Sequence, residues 1–416
     1  MKTSGNKSAL IIAYHFPPVA VSSGMHRMIA LANALAENDW DVSVLSAHER
    51  TYPRSDPETL SQLAPSIRIC RSQAFDTAQH LSIKGKYLQL MALPDNLQSW
   101  ILFGVSRGLR EIYRRRPSFI LSTYPIASAH VIALILHRLT GIPWVADFRD
   151  PMAQEGYPAD PLKWNCFNWI EKSAAKHASL LTFATPGALA EYQRRYPEVP
   201  DERWMMVSNG FDEEQYKGLS PSSLDTDEIV ILHSGLIYIH ERNPRALFQA
   251  LSELKKEGLF ESRKVRFVLR ASGHESTYQC WLQELAIESL VGLAPQLPYR
   301  EALQEMFDVD GLLLLQGAGC NQQIPAKAYE YLRAQKPVLA LTDKRGDTAQ
   351  LLRQHGIASI ASLDNKDQII EVLRSFIGKI KTTGSEASNN LKIDQYSRSN
   401  ISNHWVGRLS KLIMER

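Results

Sequence analysis

"ALIIAYHFPPVAVSSGMHRMIALANALAENDWDVSVLSA", residues 9–47, decides the fold class. "ALIIAY" is a short apolar run and reads as a buried strand. "HFPPVAVSSG" follows as a loop. The next stretch carries Met28, Leu31, Ala32 and Leu35 at helical spacing, and "DVSVLSA" is a second strand. Strand, loop, helix, strand is the unit from which parallel sheets are built.

Working outward, the unit returns. "SFILST" (118–123), "IASAHVIALILHRLTG" (126–141) and "PWVADF" (143–148) repeat it, with Gly141 as a helix stop. A long helix, "PLKWNCFNWIEKSAAKHA", leads to "SLLTFAT" and then to "WMMVSNGFD". After residue 213 the chain turns polar, and "EEQYKGLSPSSLDTDE" reads as a linker. The second half starts again with "IVILHSG" as a strand and "NPRALFQALSELKKEG" as a helix opening at Pro244. "VRFVLRASG", "STYQCWLQELAIE", "DGLLLLQG", "IPAKAYEYLRAQ", "PVLALTD", "DTAQLLRQHG", "IASIAS" and "NKDQIIEVLRSFIGKI" continue the alternation. The expected class is α/β, two doubly wound parallel sheets. The expected domains are 1–213 and 214–395, with a last helix in 396–416 crossing back to the first domain.

Composition narrows the function. At 416 residues the chain is too long for one ordinary core. A net charge of +3, from 47 basic and 44 acidic side chains, gives no global case for nucleic acid. Cys70, Cys166, Cys280 and Cys320 form no metal or CxxC spacing, which favours a reduced, cytoplasmic chain. The N-terminal apolar stretch is too short for a signal peptide, and no run approaches the roughly 20 apolar residues that span a bilayer.

Ligands of open α/β sheets bind outside the carboxyl ends of the strands; four stretches are candidates for such a site, and two more imitate one. "ADFRDPM" (146–152) packs Asp147, Arg149 and Asp150 after a buried strand. It reads either as a ligand site or as a self-neutralising cluster that trims the strand end. Gly24 precedes the first helix, where free N–H groups favour an anion; an ordinary turn glycine is the alternative. "HSGLIYIHERNP" (233–244) ends a strand at Gly235 and carries Arg242, a residue suited to phosphate. "GAGCNQQIPAKAYEYLRAQKPVLAL" (317–341) starts a helix at Pro325 with Lys327 in its first turn, against the helix dipole. That placement suits a bound anion. Glu330, on the same helix face, could accept two hydroxyl donors; a surface Lys–Glu pair is the alternative. "DTD" (225–227) and "DVD" (308–310) imitate metal-binding pairs, but both read as structural, so no metal is expected.

Together, "PWVADFRDP", "VSNGFD", "HSGLIYIHERNP" and "IPAKAYEYLRAQKPVLAL" resemble the retaining, GT-B-fold glycosyltransferases of family 4. Within it they resemble bacterial members that build surface polysaccharides. "LPDNLQSW" (93–100) and residues 118–151 have the look of that subgroup. The resemblance implies two Rossmann-like domains facing across a cleft, with a sugar nucleotide held mainly by the second. It implies that Glu330, the second glutamate of an E-x7-E motif, binds the ribose; the first position holds Gln322. Arg242 fits the second member of a basic pair that grips the diphosphate, while Leu236 occupies the first and Lys327 supplies the charge. Gly24 and Gly235 belong to the donor-binding set, and Asp150, Arg149 and Asp147 stand on the acceptor side, facing the donor. No cofactor is implied. The partners are a nucleotide sugar and a glycan or lipid-linked acceptor, not nucleic acid. A sugar-nucleotide epimerase and a non-catalytic binding relative are the alternatives.

One helix bears on location. "WILFGVSRGLREIYRRRPS" (100–118) carries Ile101, Val105, Leu109 and Ile112 on one stripe and Arg107, Arg110 and Arg114 opposite, extended by Arg115 and Arg116. The stripe reads as a sheet-covering face. The arginines can at the same time face lipid phosphates, giving salt-sensitive contact without insertion at the inner face of the cytoplasmic membrane.

Overall fold

In this computed structural model, residues 7–19, 23–222, 228–261, 264–383 and 393–414 are described. The chain forms two compact units, one of residues 1–208 with 398–416, the other of residues 209–397. The "DTD" at 225–227 and residues 384–392, before the last helix, lie outside the described residues.

The first unit holds seven parallel strands. They are β1 (Ser8–Ile12), β2 (Asp41–Ala47), β3 (Arg68–Ser72), β4 (Phe119–Thr123), β5 (Trp144–Arg149), β6 (Leu180–Phe183) and β7 (Trp204–Met206), ordered β3-β2-β1-β4-β5-β6-β7. β1 and β4 are buried along their whole length, as strands covered by helices on both faces must be. Local chemistry sets the helix ends. The helix Pro161–His177 starts with proline behind the Asp160 cap, whose carboxylate accepts from the Leu162 N–H. Gly141, at φ 70°, ends the helix Ala127–Thr140 in the left-handed conformation. The last helix, Arg398–Met414, packs on the helix Ser23–Glu37 and buries Trp405 and Leu409 in this unit's core.

The second unit repeats the plan with six parallel strands: β8 (Glu228–Ser234), β9 (Lys264–Arg270), β10 (Val291–Ala294), β11 (Gly311–Leu315), β12 (Val338–Leu341) and β13 (Ile360–Ala361). Their order is β10-β9-β8-β11-β12-β13. Separate apolar clusters fill its two faces. Both sheets therefore have a topological switch point, at β1/β4 and at β8/β11, where a crevice opens at the carboxyl ends.

The structure adds elements the sequence pattern hid. β3, "RICRS", is an edge strand with one arginine on each face, so it shows no apolar run. The helix Tyr299–Asp308 buries only Leu303, Met306 and Phe307. "IASIAS" contributes just two strand residues. Gly24 does not precede its helix; it lies in the first turn of Ser23–Glu37.

Candidate functional site

At the first switch point, Tyr14, His15, Gly24, Thr123, Tyr124 and Arg149 line a small recess at the ends of β1, β4 and β5. Arg149 has φ 63°, an uncommon conformation for a non-glycine residue and one that clusters at functional sites. The register of β5 on β6 shifts between Asp147 and Arg149. This separates two residues that a regular strand would aim alike.

Asp147, expected to face the donor, is instead sealed in the core. One carboxylate oxygen accepts from Arg27 Nη2 at 3.0 Å and Thr182 Oγ1 at 2.7 Å. The other accepts from Thr123 Oγ1 at 2.8 Å and Arg27 Nε at 3.3 Å. Arg27 also donates to the carbonyls of Val207 and Ser208, at 2.7 and 2.9 Å, and lies 4.9 Å from the centre of the Trp405 ring. Burial alone would raise the Asp147 pKa, but Arg27 and the hydroxyl donors hold it below the usual carboxylate value. Asp147 and Arg27 thus form a buried anchor, with Arg149 left outside it.

Arg149 forms no ion pair among the described residues. Its Nη1 donates to the Tyr124 carbonyl at 3.3 Å, and its buried Nε has no hydrogen-bond partner. Burial lowers its pKa, yet a guanidinium starts so high that it stays charged. Burial raises the neighbouring Asp150 carboxyl despite the charge of Arg149. Burial and then Arg149 lower His15 to about 4, so it is neutral at pH 7.

At the second switch point β8 gives way to Gly235, whose φ of 102° suits glycine alone. The loop beyond it carries Arg242 and presses on the end of β11. A Cβ at Gly317 would lie 1.9 Å from the Glu241 carbonyl oxygen, so only glycine admits this approach. The Arg242 guanidinium lies 5.5 Å from the centre of the Tyr238 ring, and its buried Nε lacks a hydrogen-bond partner. Opposite, Pro325 caps the helix Ala326–Ala334 without a side-chain bond; the Ala328 N–H donates to the Pro325 carbonyl at 2.9 Å, and no side chain caps the N–H groups of Ala326 and Lys327.

Lys327, in that first turn, reaches over Gly235; a Cβ there would sit 3.4 Å from its Nζ. Nζ lies 3.1 Å from His233 Nε2. His233 is fully buried, and its Nδ1 lies 2.9 Å from the Leu313 carbonyl. Nδ1 must therefore hold the proton, and Nε2 accepts from the lysine. Burial and then the charge of Arg242 lower Lys327 to about 7, with Glu330 pulling the other way. Glu330 accepts a 2.8 Å hydrogen bond from the Tyr299 hydroxyl. Gln322 is partly buried in the loop before the helix.

The structure thus gathers Gly235, Arg242, Lys327 and Glu330 in one unit, and Gly24 and Arg149 in the other. It also brings in residues that sequence reasoning missed. His233 stands two places before Gly235, and a histidine so near a strand end was the available signal. Tyr299 carried no signal, because it comes from a separate helix. Of the "DVD" pair, Asp308 accepts from the Ser222 N–H and Asp310 from the Val230 N–H, both at 2.8 Å, so each secures backbone.

Residues 23–210 match the family model described as a glycosyl transferase 4-like domain. This protein is a glycosyltransferase of the GT-B fold. The glycosyltransferase superposes on sucrose-phosphate synthase from Thermosynechococcus elongatus with a TM-score of 0.74 at 13% identity, covering 99% of this chain and all of that one. HepE from Anabaena, solved with UDP and glucose, gives a TM-score of 0.67 at 15% identity, over 97% of this chain and all of the other. WaaG, a glycosyltransferase of lipopolysaccharide biosynthesis, gives 0.60 at 11% identity, over 98% of each chain. No curated protein matched the sequence.

Proposed function

We propose that this glycosyltransferase moves a sugar, with retention, from a nucleoside-diphosphate donor to a glycan or lipid-linked acceptor in surface polysaccharide biosynthesis. The observation that carries the reading is the cluster at the end of β8. Lys327 and Arg242, two cations without an ion-pair partner among the described residues, converge on a glycine turn and an open helix N-terminus. A diphosphate supplies the missing negative charge there. Glu330 then takes the ribose hydroxyls, and Gln322 the hydroxyls of the transferred sugar. HepE structures with UDP and UDP-glucose make uridine nucleotides the first donors to try.

Within the first unit, Asp150 orients the acceptor hydroxyl, with Arg149 and Gly24 at the recess beside it. Asp147 holds this strand end in place through Arg27. As the glycosidic bond to the diphosphate breaks, the acceptor oxygen bonds to the anomeric carbon on the same face. Its proton passes to the departing phosphate oxygen, so no dedicated side-chain base is needed.

A screen of nucleotide sugars by thermal stabilisation identifies the donor; ligand at 100 times its dissociation constant adds about 2.7 kcal/mol. Glu330→Ala is expected to lose most donor affinity with the fold intact, measured by calorimetry. An unchanged affinity removes the ribose role. Anomeric proton couplings of donor and product report retention. Conversion of a UDP-sugar to its 2-epimer without acceptor would favour the epimerase fold relatives, such as the Listeria monocytogenes protein, instead.

A further inference from the structure

Eight of the eighteen exposed large hydrophobic side chains among the described residues lie between Leu81 and Tyr113. That stretch is under a tenth of the chain, so the clustering exceeds the usual scatter of surface apolar residues. Its centre is a tight hairpin. Ile83 and Lys86 exchange backbone hydrogen bonds at 2.8 and 3.0 Å across Lys84 and Gly85, both with positive φ (52° and 75°). These are the features of a two-residue type I′ turn. Ile83 is 79% exposed, Leu88 73% and Leu90 66%.

The hairpin is tied to the body at its base. Thr77 Oγ1 donates to the Met91 carbonyl at 2.6 Å, and the Thr77 N–H to the Asn96 carbonyl at 2.8 Å. Phe75 meets Phe103 with ring centres 6.3 Å apart, which brings in the start of the helix Gln98–Arg115. That helix exposes Leu102, at 73%, beside Phe103.

Within the hairpin the charges are basic, and the acids near it are engaged in hydrogen bonds or an ion pair. No acidic residue occurs from Leu81 to Pro94, while Lys84 and Lys86 flank Ile83. On the helix, Arg110 and Arg114 are exposed, and its only acid, Glu111, is buried and paired with Arg107 at 3.1 Å. Asp76 caps a short helix through the Gln79 N–H, and Asp160 accepts from Gln89 at 2.5 Å at the margin. A Lys-Gly turn with apolar side chains on its arms fits the boundary between anionic headgroups and acyl chains. The side chains of Ile83 and Leu88 enter, and the ammonium groups stay at phosphate level.

We propose that residues 81–90, with Leu102 and Phe103, form a hairpin that docks the first unit on an anionic bilayer by shallow insertion. This deepens the lipid-linked acceptor reading and rests on it for its purpose. It differs from the arginine-only contact expected from the sequence, because insertion adds a part that salt does not screen.

The test is sedimentation of the full chain with phosphatidylglycerol-containing and pure phosphatidylcholine vesicles across a salt series. Wild type is expected to prefer the anionic vesicles and to keep part of its binding at high salt. Lys84→Glu with Lys86→Glu should weaken partitioning at low salt at least about fivefold per lysine. Ile83→Asp with Leu88→Asp should abolish the salt-resistant part. A Leu88→Trp variant should show blue-shifted fluorescence on anionic vesicles. All four side chains are exposed, and unchanged melting checks that the variants fold. The proposal is overturned if wild type ignores anionic vesicles at low salt, or if the aspartate pair binds like wild type. It is also overturned if ultracentrifugation shows that the aspartate pair merely splits a dimer. UDP affinity measured without vesicles reads the donor site separately, so failure of either reading is distinguishable.

Discussion

Lys327 is a cation that its surroundings make conditional. Partly buried and beside Arg242, it titrates near 7 in the free enzyme. A bound diphosphate favours the charged form, so binding above pH 7 must take up a proton. UDP affinity is then expected to fall by about fifty-fold from pH 7 to pH 9, following the loss of the charged lysine. Calorimetry over that range measures it, and Lys327→Arg should flatten the profile, since arginine does not titrate there. A wild-type affinity constant across the range would remove the ammonium from the site. Asp147 makes the opposite kind of statement, about stability. Its folded pKa is depressed, so its contribution is present above the unfolded value near 4 and is lost as pH falls through the folded value. Asp147→Asn leaves the buried Arg27 charge uncompensated and should cost about 3–5 kcal/mol in urea unfolding at pH 7. At this scale the sequence showed which residues carry charge at strand ends. It could not show that Asp147 faces inward and Arg149 does not, because that depends on a register shift against a strand more than thirty residues away.

The helix Gln98–Arg115 shows what periodicity sees at the scale of an element. The stripe Ile101, Val105 and Leu109 does pack against the core, half-buried. The closest approach, however, is made by two glycines. A Cβ at Gly104 would meet Ile132 Cδ1 at 2.6 Å, and one at Gly108 would meet Leu136 Cδ1 at 2.5 Å, both on the helix Ala127–Thr140. Hydrophobic spacing gives these positions no weight, yet they set how near the helices lie. Gly104→Val should therefore destabilise through overpacking by about 1–3 kcal/mol, despite valine's greater hydrophobicity. Denaturant midpoints at constant m-value measure this. A stabilised variant would mean that Ile132 yields freely. The short hairpin at Ile83 was illegible for a similar reason: its turn is local, but its exposure is a property of what fails to cover it.

At the scale of the whole molecule, the chain leaves its first unit after Ser208 and returns to it at Arg398. Trp405 completes the first unit's core and lies against Arg27. Trp405→Ala is expected to cost that unit about 3–5 kcal/mol and to leave the second unit's transition in place. Calorimetric unfolding that resolves two transitions checks this, and equal loss in both would contradict it. The alternation of apolar runs and amphipathic stretches was enough for two parallel α/β sheets, because strand and helix periods are local and each run must find cover. The same pattern put Gly235, Arg242, Lys327 and Glu330 near strand ends, since ligand positions in such sheets follow from topology. Sequence by itself therefore determined the fold class and which residues stand near the ends of β8 and β11. Only the tertiary structure decided which charges stay unpaired. It joined His233 to Lys327, Tyr299 to Glu330 and Arg27 to Asp147 across separations of 94, 31 and 120 residues. Whether a charge is neutralised or left for a ligand depends on distances of a few ångströms between segments whose order in the chain does not encode their proximity.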